Sequence, residues 1–535
     1  PRSITRITRN QVRITTHLYL APYLLSLLSL RHPMQTQNPT TTPALPYNLA
    51  QWKQGYRSQK QEYNYQITEI EGEIPHDLTG TLFRNGPGLL DINDKSVRHP
   101  FDGDGMICRI TFQDGKAHFR NRYVQTKAYL AEQAAGKFLY RGVFGTQKAG
   151  GWLRNAFDLT LKNIANTQVV YWGGKLLALW EAAEPHRLDP ETLDTLGIEY
   201  LNHVLKPGDA FAAHPLFDPQ GRMVNFGLKT GKFDQTGLLT TLTIYELDLD
   251  GEVVEQHEHI IQGFAFIHDF AITPNYCIFF QNPVGFNPFP FLLGLKGAAE
   301  CIKFQPEQPT KIIIIPRNPQ SGEKVKILET KSGFVFHHAN ACECDGKILI
   351  DSICYATFPE VEPDQDFRDL NFDTLTPGQL WRFELDLHNH QVSSKLVEPR
   401  CCEFPTINPA NVGLTYRYAY LGAAQTLNGN APLQSVLKLD LETGTQQLWT
   451  AAPTGYVGEP VFVPRPDGTQ EDDGWLIAMV YDGTRDRSAV VILDATDLTK
   501  GAIATLHLTH HIPYGLHGSW TDKIFIDELS NSQLS

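Results

Sequence analysis

Four histidines stand in apolar surroundings where a solvated imidazole is not expected. His214 lies in Phe211–Pro215 (FAAHP), and His268 ends the alternating phenylalanines of Gly263–Phe270 (GFAFIHDF). His337 follows Phe334-Val335-Phe336 in GFVFHHAN, and His517 lies in Tyr514–Trp520 (YGLHGSW). A neutral imidazole in a buried strand needs a partner for its ring nitrogens, either a backbone carbonyl or a metal. One such histidine alone reads as a core residue bonded to a carbonyl. Four of one kind read as a metal centre. They lie 54, 69 and 180 residues apart, which excludes finger-type and helix-face motifs. Long, unequal separations suit a fold in which each ligand comes from a different sheet.

Three glutamates share the apolar setting: Glu181 in LLALWE, Glu403 in CCEFP and Glu459 in GEP. Singly, each reads as a loop cap or a solvent-facing group. A buried carboxylate without a partner is costly, and metal-bound histidines usually give their second N–H to such a group. Three glutamates beside four histidines favour that pairing. An all-imidazole site suits zinc, copper, iron or nickel, and donor chemistry does not choose among them. A six-coordinate ion would leave two positions for oxygen and substrate. The eight cysteines form no CxxC. They read as reduced thiols of a cytosolic protein, and none is assigned to the metal.

The elements that must position these groups are short strands. Phe334–Phe336 and Lys347–Tyr355 read as a hairpin around Asp345-Gly346. Four further segments repeat an apolar strand, an Asp, a polar turn and a second strand: Ile244–Gln256, Trp381–Lys395, Ser435–Trp449 and Val490–Leu508. Such hairpins form the outer strands of β-propeller blades, whose inner strands converge on one axis. An all-β sandwich is the rival, but it does not explain how distant histidines meet. The formal charge of −13 and the lack of a basic stripe argue against nucleic acid. The 29 Phe and 20 Tyr suit the walls of an apolar cavity.

Residues 1–50 read as a disordered N-terminal extension, with Met34 as the expected start, and 51–535 as one propeller domain. Residues 127–161, mixed basic and apolar, read as an interfacial helix. Residues 281–296 (QNPVGFNPFPFLLGLK) read as a loop leading into a short turn, since three prolines forbid a regular element across it.

HPFDGDG, KNIANT, LALWE, GFAFIHDF, GFVFHHAN, CCEFP, GEPVFVPRP, EDDGW and LHGSW together resemble the carotenoid cleavage oxygenase family, nearest its bacterial apocarotenoid 15,15′-oxygenases. The resemblance runs from about Gln51 to Trp520. It implies a seven-bladed β-propeller capped by helices and loops, with one non-haem Fe(II) per chain held by His214, His268, His337 and His517. It makes Glu181, Glu403 and Glu459 the carboxylates behind the last three histidines, and Thr167 a residue whose methyl crowds a vacant iron position. His338 is left as a packing residue. The substrate walls would be Phe101, Phe144, Trp180, Phe266, Phe336, Tyr355 and Phe404. The implied reaction is cleavage of a conjugated polyene with O2, at the 15,15′ bond of apocarotenals or apocarotenols to give retinal, with no side chain as general acid or base. Cleavage of a stilbene-type bond, an O2-independent retinoid isomerase-hydrolase and a non-enzymatic binding propeller are the alternatives. The expected protein is a cytoplasmic monomer that touches membranes peripherally through 281–296 and 127–161.

Overall fold

The computed structural model describes residues 47–235, 237–359 and 366–526. These form a seven-bladed β-propeller. Blade 1 runs outward from Gly518–Thr521 through Gly80–Arg84, Asp104–Gln113 and Lys116–Tyr123 to Asn64–Gln66. Blades 2 to 6 are four-stranded meanders. Their innermost strands are Gln168–Trp172, Leu216–Phe217, Ala271–Ile272, Phe334–Cys344 and Cys402–Thr406. Blade 7 has Gly455–Val457 and Val461–Pro464 at its inner edge, both pairing with Gly474–Asp482. Its outermost strand is Ile70–Gly72, which pairs with Ala502–His507. Blade 1 thus takes its inner strand from the C-terminal part of the chain, and blade 7 takes its outer strand from the N-terminal part. Main-chain ladders close the ring twice, which leaves the two ends of the circle no free inner edge.

The four repeated segments are outer hairpins of blades 3, 5, 6 and 7. The turn at Asp345-Gly346 has φ of 51° and 77°. Both central residues are left-handed, as a two-residue hairpin turn with the twist of its strands requires. Alternation along the strands puts one apolar face against each neighbouring blade, so the core is a ring of inter-blade layers rather than one central mass.

Three expectations need correction. The ordered chain starts before residue 51: Asn48 caps a helix, Leu49–Gln54, and Trp52 packs against Phe372. The rest of the expected extension, with Met34, lies outside the described residues. Residues 127–161 are not one helix but two, Lys127–Ala135 and Trp152–Asn155, with a long connection between them. Gly136, at φ 60°, ends the first in a left-handed cap. Residues 281–296 contain more regular structure than expected, a strand Val284–Phe286 and a one-turn helix Pro288–Leu292. Asn287 caps that helix, and its prolines fall in the first turn, where no N–H is needed.

Candidate metal centre

Each blade delivers one group to the axis, six of them near the start of an inner strand. His517 comes from blade 1, His214 from blade 3, His268 from blade 4 and His337 from blade 5. Glu181 comes from blade 2, at the end of the strand beside the inner one, while Glu403 and Glu459 come from blades 6 and 7. The ligand-capable atoms of the four histidines all lie within 4.8 Å of one another. The Nε2 atoms of His214 and His268 are 2.9 Å apart, and those of His268 and His337 are 3.2 Å apart. Among the described residues no other group of three or more His, Cys, Asp or Glu is this close.

Three rings are oriented from behind. His337 Nδ1 lies 2.6 Å from Glu403 Oε2, and His517 Nδ1 lies 2.8 Å from Glu459 Oε1. His268 Nδ1 contacts Glu181 Oε1. A carboxylate accepts, so each Nδ1 carries a proton, and the neutral form of each ring turns an Nε2 lone pair toward the axis. No carboxylate of the described residues stands behind His214 at ion-pair distance. Burial first, and then repulsion from the other three rings, holds His214 well below the ordinary imidazole value, so it is neutral. Burial also opposes a charge on His337, but Glu403, with Asp269 and Glu459 farther off, outweighs it and lifts that ring to about 9. Burial likewise works against the Glu403 carboxylate, yet His337 and the Phe404 N–H keep it below its usual value.

Local backbone irregularity aims two of these groups. Around His337 the register against Lys347–Tyr355 slips: Val335 faces Cys354 and His338 faces Ser352, so two residues oppose one. Such a bulge re-aims a side chain. It turns His337 to the axis while His338 Nδ1 lies 2.7 Å from Ser352 Oγ and its ring packs on Phe280. Phe404 has φ 54°, a strained conformation for a bulky residue, costing roughly 1–3 kcal/mol. In that conformation its N–H donates to Glu403 at 2.6 Å, and its ring lies 5.9 Å from His337 and 5.4 Å from His517.

The expected aromatic residues fall in two groups. Phe336 meets His268 edge-on at 5.6 Å and Tyr355 at the same distance, while Phe266 stacks on Phe334. Phe101 and Phe144 pair edge-on at 5.3 Å, and Trp180 is buried next to Glu181 in the chain. Thr167 is buried. Its hydroxyl donates to Asn166 Oδ1 and its carbonyl accepts the His517 N–H at 3.1 Å. Sequence reasoning missed three contributors. Arg84 is buried, ion-pairs with Glu459 and donates to the Leu516 carbonyl at 2.8 Å. Tyr355 was expected only as a wall, yet its hydroxyl donates to Glu403 at 2.8 Å. Asp269 accepts the His338 N–H at 2.8 Å. An arginine ending a wholly buried strand, GTLFR, was the available signal for the first.

Four converging imidazoles with no thiolate fit a first-row transition ion, which would displace the His337 proton on binding, and the carboxylates behind them offset its charge at a distance. The family model of the retinal pigment epithelial membrane protein matches residues 56–522. The chain is 53% identical over 496 residues to the apocarotenoid-15,15′-oxygenase of Synechocystis sp., covering 91% of this chain and 99% of that one. It is 32% identical to resveratrol cleavage oxygenase 1 of Aspergillus fumigatus, over 85% of this chain and 92% of the other. Its fold is similar to the crystal structure of cobalt-substituted Synechocystis ACO, with TM-score 0.86 and 53% identity over 89% of this chain and 100% of that one.

Proposed function

The chain belongs to the retinal pigment epithelial membrane protein family of carotenoid cleavage oxygenases, and from that membership we propose Fe(II)-dependent cleavage of the 15,15′ double bond of apocarotenals or apocarotenols. The observation that carries this reading is the axial set of four imidazoles, three of them held by carboxylates. His214, His268, His337 and His517 would hold the ion, and Fe(II) bound there supplies the activation of O2. The rest falls to the chain. Glu181, Glu403 and Glu459 keep Nδ1 protonated and the rings aimed. The methyl of Thr167, whose hydroxyl is committed to Asn166, narrows the space beside the ion. Phe336, Phe404, Phe266, Tyr355, Trp180, Phe101 and Phe144 hold the rigid polyene and exclude water. Each carbon of the broken bond leaves with one oxygen atom, so an apocarotenal yields retinal and a shorter dialdehyde. Iron-loaded protein given an apocarotenal should form both only in air. Turnover without O2 would replace this reading with an isomerase-hydrolase, and cleavage of a stilbene alone would replace the substrate.

The same reading requires a route for a water-insoluble substrate, and we propose peripheral contact with a lipid surface. None of the described helices is long and apolar enough to cross a membrane. The segments 127–161 and 281–296 are joined instead. The Phe157 N–H donates to the Leu292 carbonyl at 2.7 Å, and Arg141 donates to the Lys296 carbonyl at 2.7 Å while lying 3.9 Å from the Phe291 ring centre. Phe291 is core, whereas Leu153, Phe157 and Phe289 are 72%, 77% and 70% exposed, with Leu293 and Leu295 beside them. Each such side chain buried in lipid contributes about 1.5–3 kcal/mol. Phe289→Ser/Leu293→Ser/Leu295→Ser should abolish co-sedimentation with liposomes. Undiminished sedimentation of the folded triple variant would remove this contact from the proposal.

A further inference from the structure

His99 lies outside the metal centre but inside the aromatic wall. Its ring stacks on Phe144 with centroids 4.9 Å apart and meets Phe101 edge-on at 4.6 Å. The wall is keyed to the axis. The Phe101 carbonyl accepts from Asn166 Nδ2 at 3.1 Å, and the neighbouring Thr167 carbonyl accepts the His517 N–H. It is also rigid, because the Asp102 carboxylate accepts the N–H groups of Phe144 and Thr146 at 2.9 and 3.0 Å.

The tautomer of His99 follows from its hydrogen bond to Phe101. Its Nδ1 accepts the Phe101 N–H at 3.2 Å, so the proton of the neutral ring sits on Nε2. Burial lowers the ring to about 3, which keeps it neutral at any physiological pH. No hydrogen bond of the described residues takes up the Nε2 proton. A neutral donor is therefore built into a wall of phenylalanines, where none of the described residues uses it.

A polyene offers no polar group at its middle, so an apolar wall alone leaves the chain free to slide by one double bond. Its oxygenated end is the only point a donor can grip. We propose that His99 Nε2–H binds the terminal carbonyl or hydroxyl oxygen of the substrate and so fixes which double bond rests at the metal. This rests on the apocarotenoid reading above.

The test uses metal-loaded protein without O2, a bound apocarotenal, and Raman measurement of its C=O stretch. Wild type should lower the stretch relative to the aldehyde in hexane, and His99→Phe, which keeps the ring packing, should restore it. His99→Asn retains an acceptor for the Phe101 N–H but has a shorter reach, and should restore it too, which covers a failure of the first variant to fold. In air, His99→Phe should raise KM for the apocarotenal about tenfold, the worth of one hydrogen bond, and add products cut one double bond away. A hydrocarbon of equal length should be unaffected. An unshifted stretch in wild type, a shift that persists in either folded variant, or an equal KM change for the hydrocarbon overturns the role of His99. Failure of wild type to bind the aldehyde at all overturns the apocarotenoid reading and His99 with it.

Discussion

The two halves of the metal centre are built differently. On the side of blades 5, 6, 7 and 1, every group has several partners. Glu403 receives His337, the Tyr355 hydroxyl and the Phe404 N–H. Glu459 receives His517, Arg84 and the Gly518 N–H. On the side of blades 2, 3 and 4, Glu181 is 30% exposed at its side chain and contacts His268, and among the described residues no carboxylate stands behind His214 at ion-pair distance. A buried charge must be matched by donors, so the first half is held rigidly. The second has fewer partners, and its carboxylate is partly screened by water. Ring orientation is therefore set by networks on one side, and on the other by the single Glu181 contact to His268.

The largest break in this contrast should come from removing a ligand. His337→Ala should abolish both iron retention and cleavage, while His338→Ala, which loses contacts to Ser352 and Phe280, should keep its iron by metal analysis. Reversed behaviour would place the wrong imidazole of the pair on the axis. Next is Glu459→Gln, which leaves Arg84 charged and buried without its partner. Losing one member of a buried pair destabilises by roughly 3–5 kcal/mol, so denaturant unfolding should fall by that order and metal affinity by about 10–100-fold. Glu403→Gln should weaken metal binding in the same range in a chelator titration, with a smaller loss of stability, because no cation is stranded. Glu181→Gln should fall at the low end, near tenfold. If it matches Glu459→Gln, the division into a rigid half and one with fewer partners is wrong. The smallest effect is expected for Tyr355→Phe, which removes one donor to a charged acceptor, about 1.5–3 kcal/mol of stability.

Much of this was legible in the chain because β structure writes burial locally. Period-two alternation marks which strand residues face a neighbouring blade, so a histidine or glutamate among phenylalanines and leucines stands out. Asp345-Gly346 announces its hairpin for the same local reason, the need for positive φ. The long cap was less legible. Leu153 and Phe289 sit in segments with no regular period, and only packing decides that Phe291 turns in to Arg141 while Phe289 faces out.

By itself, the sequence determined the types of group at the centre, the strands that carry them and the aromatic character of what surrounds them, since each is a property of a few adjacent residues. Tertiary structure alone decided the pairings, His337 with Glu403 across 66 residues and His517 with Glu459 across 58. It also decided that Arg84 neutralises Glu459, and it supplies the bulge that turns His337 rather than His338 inward, as the family resemblance had implied. Each of these depends on where a bulge falls or on which atom of a distant chain segment arrives within 3 Å. No local pattern encodes that, because the blades meet only when the ring closes.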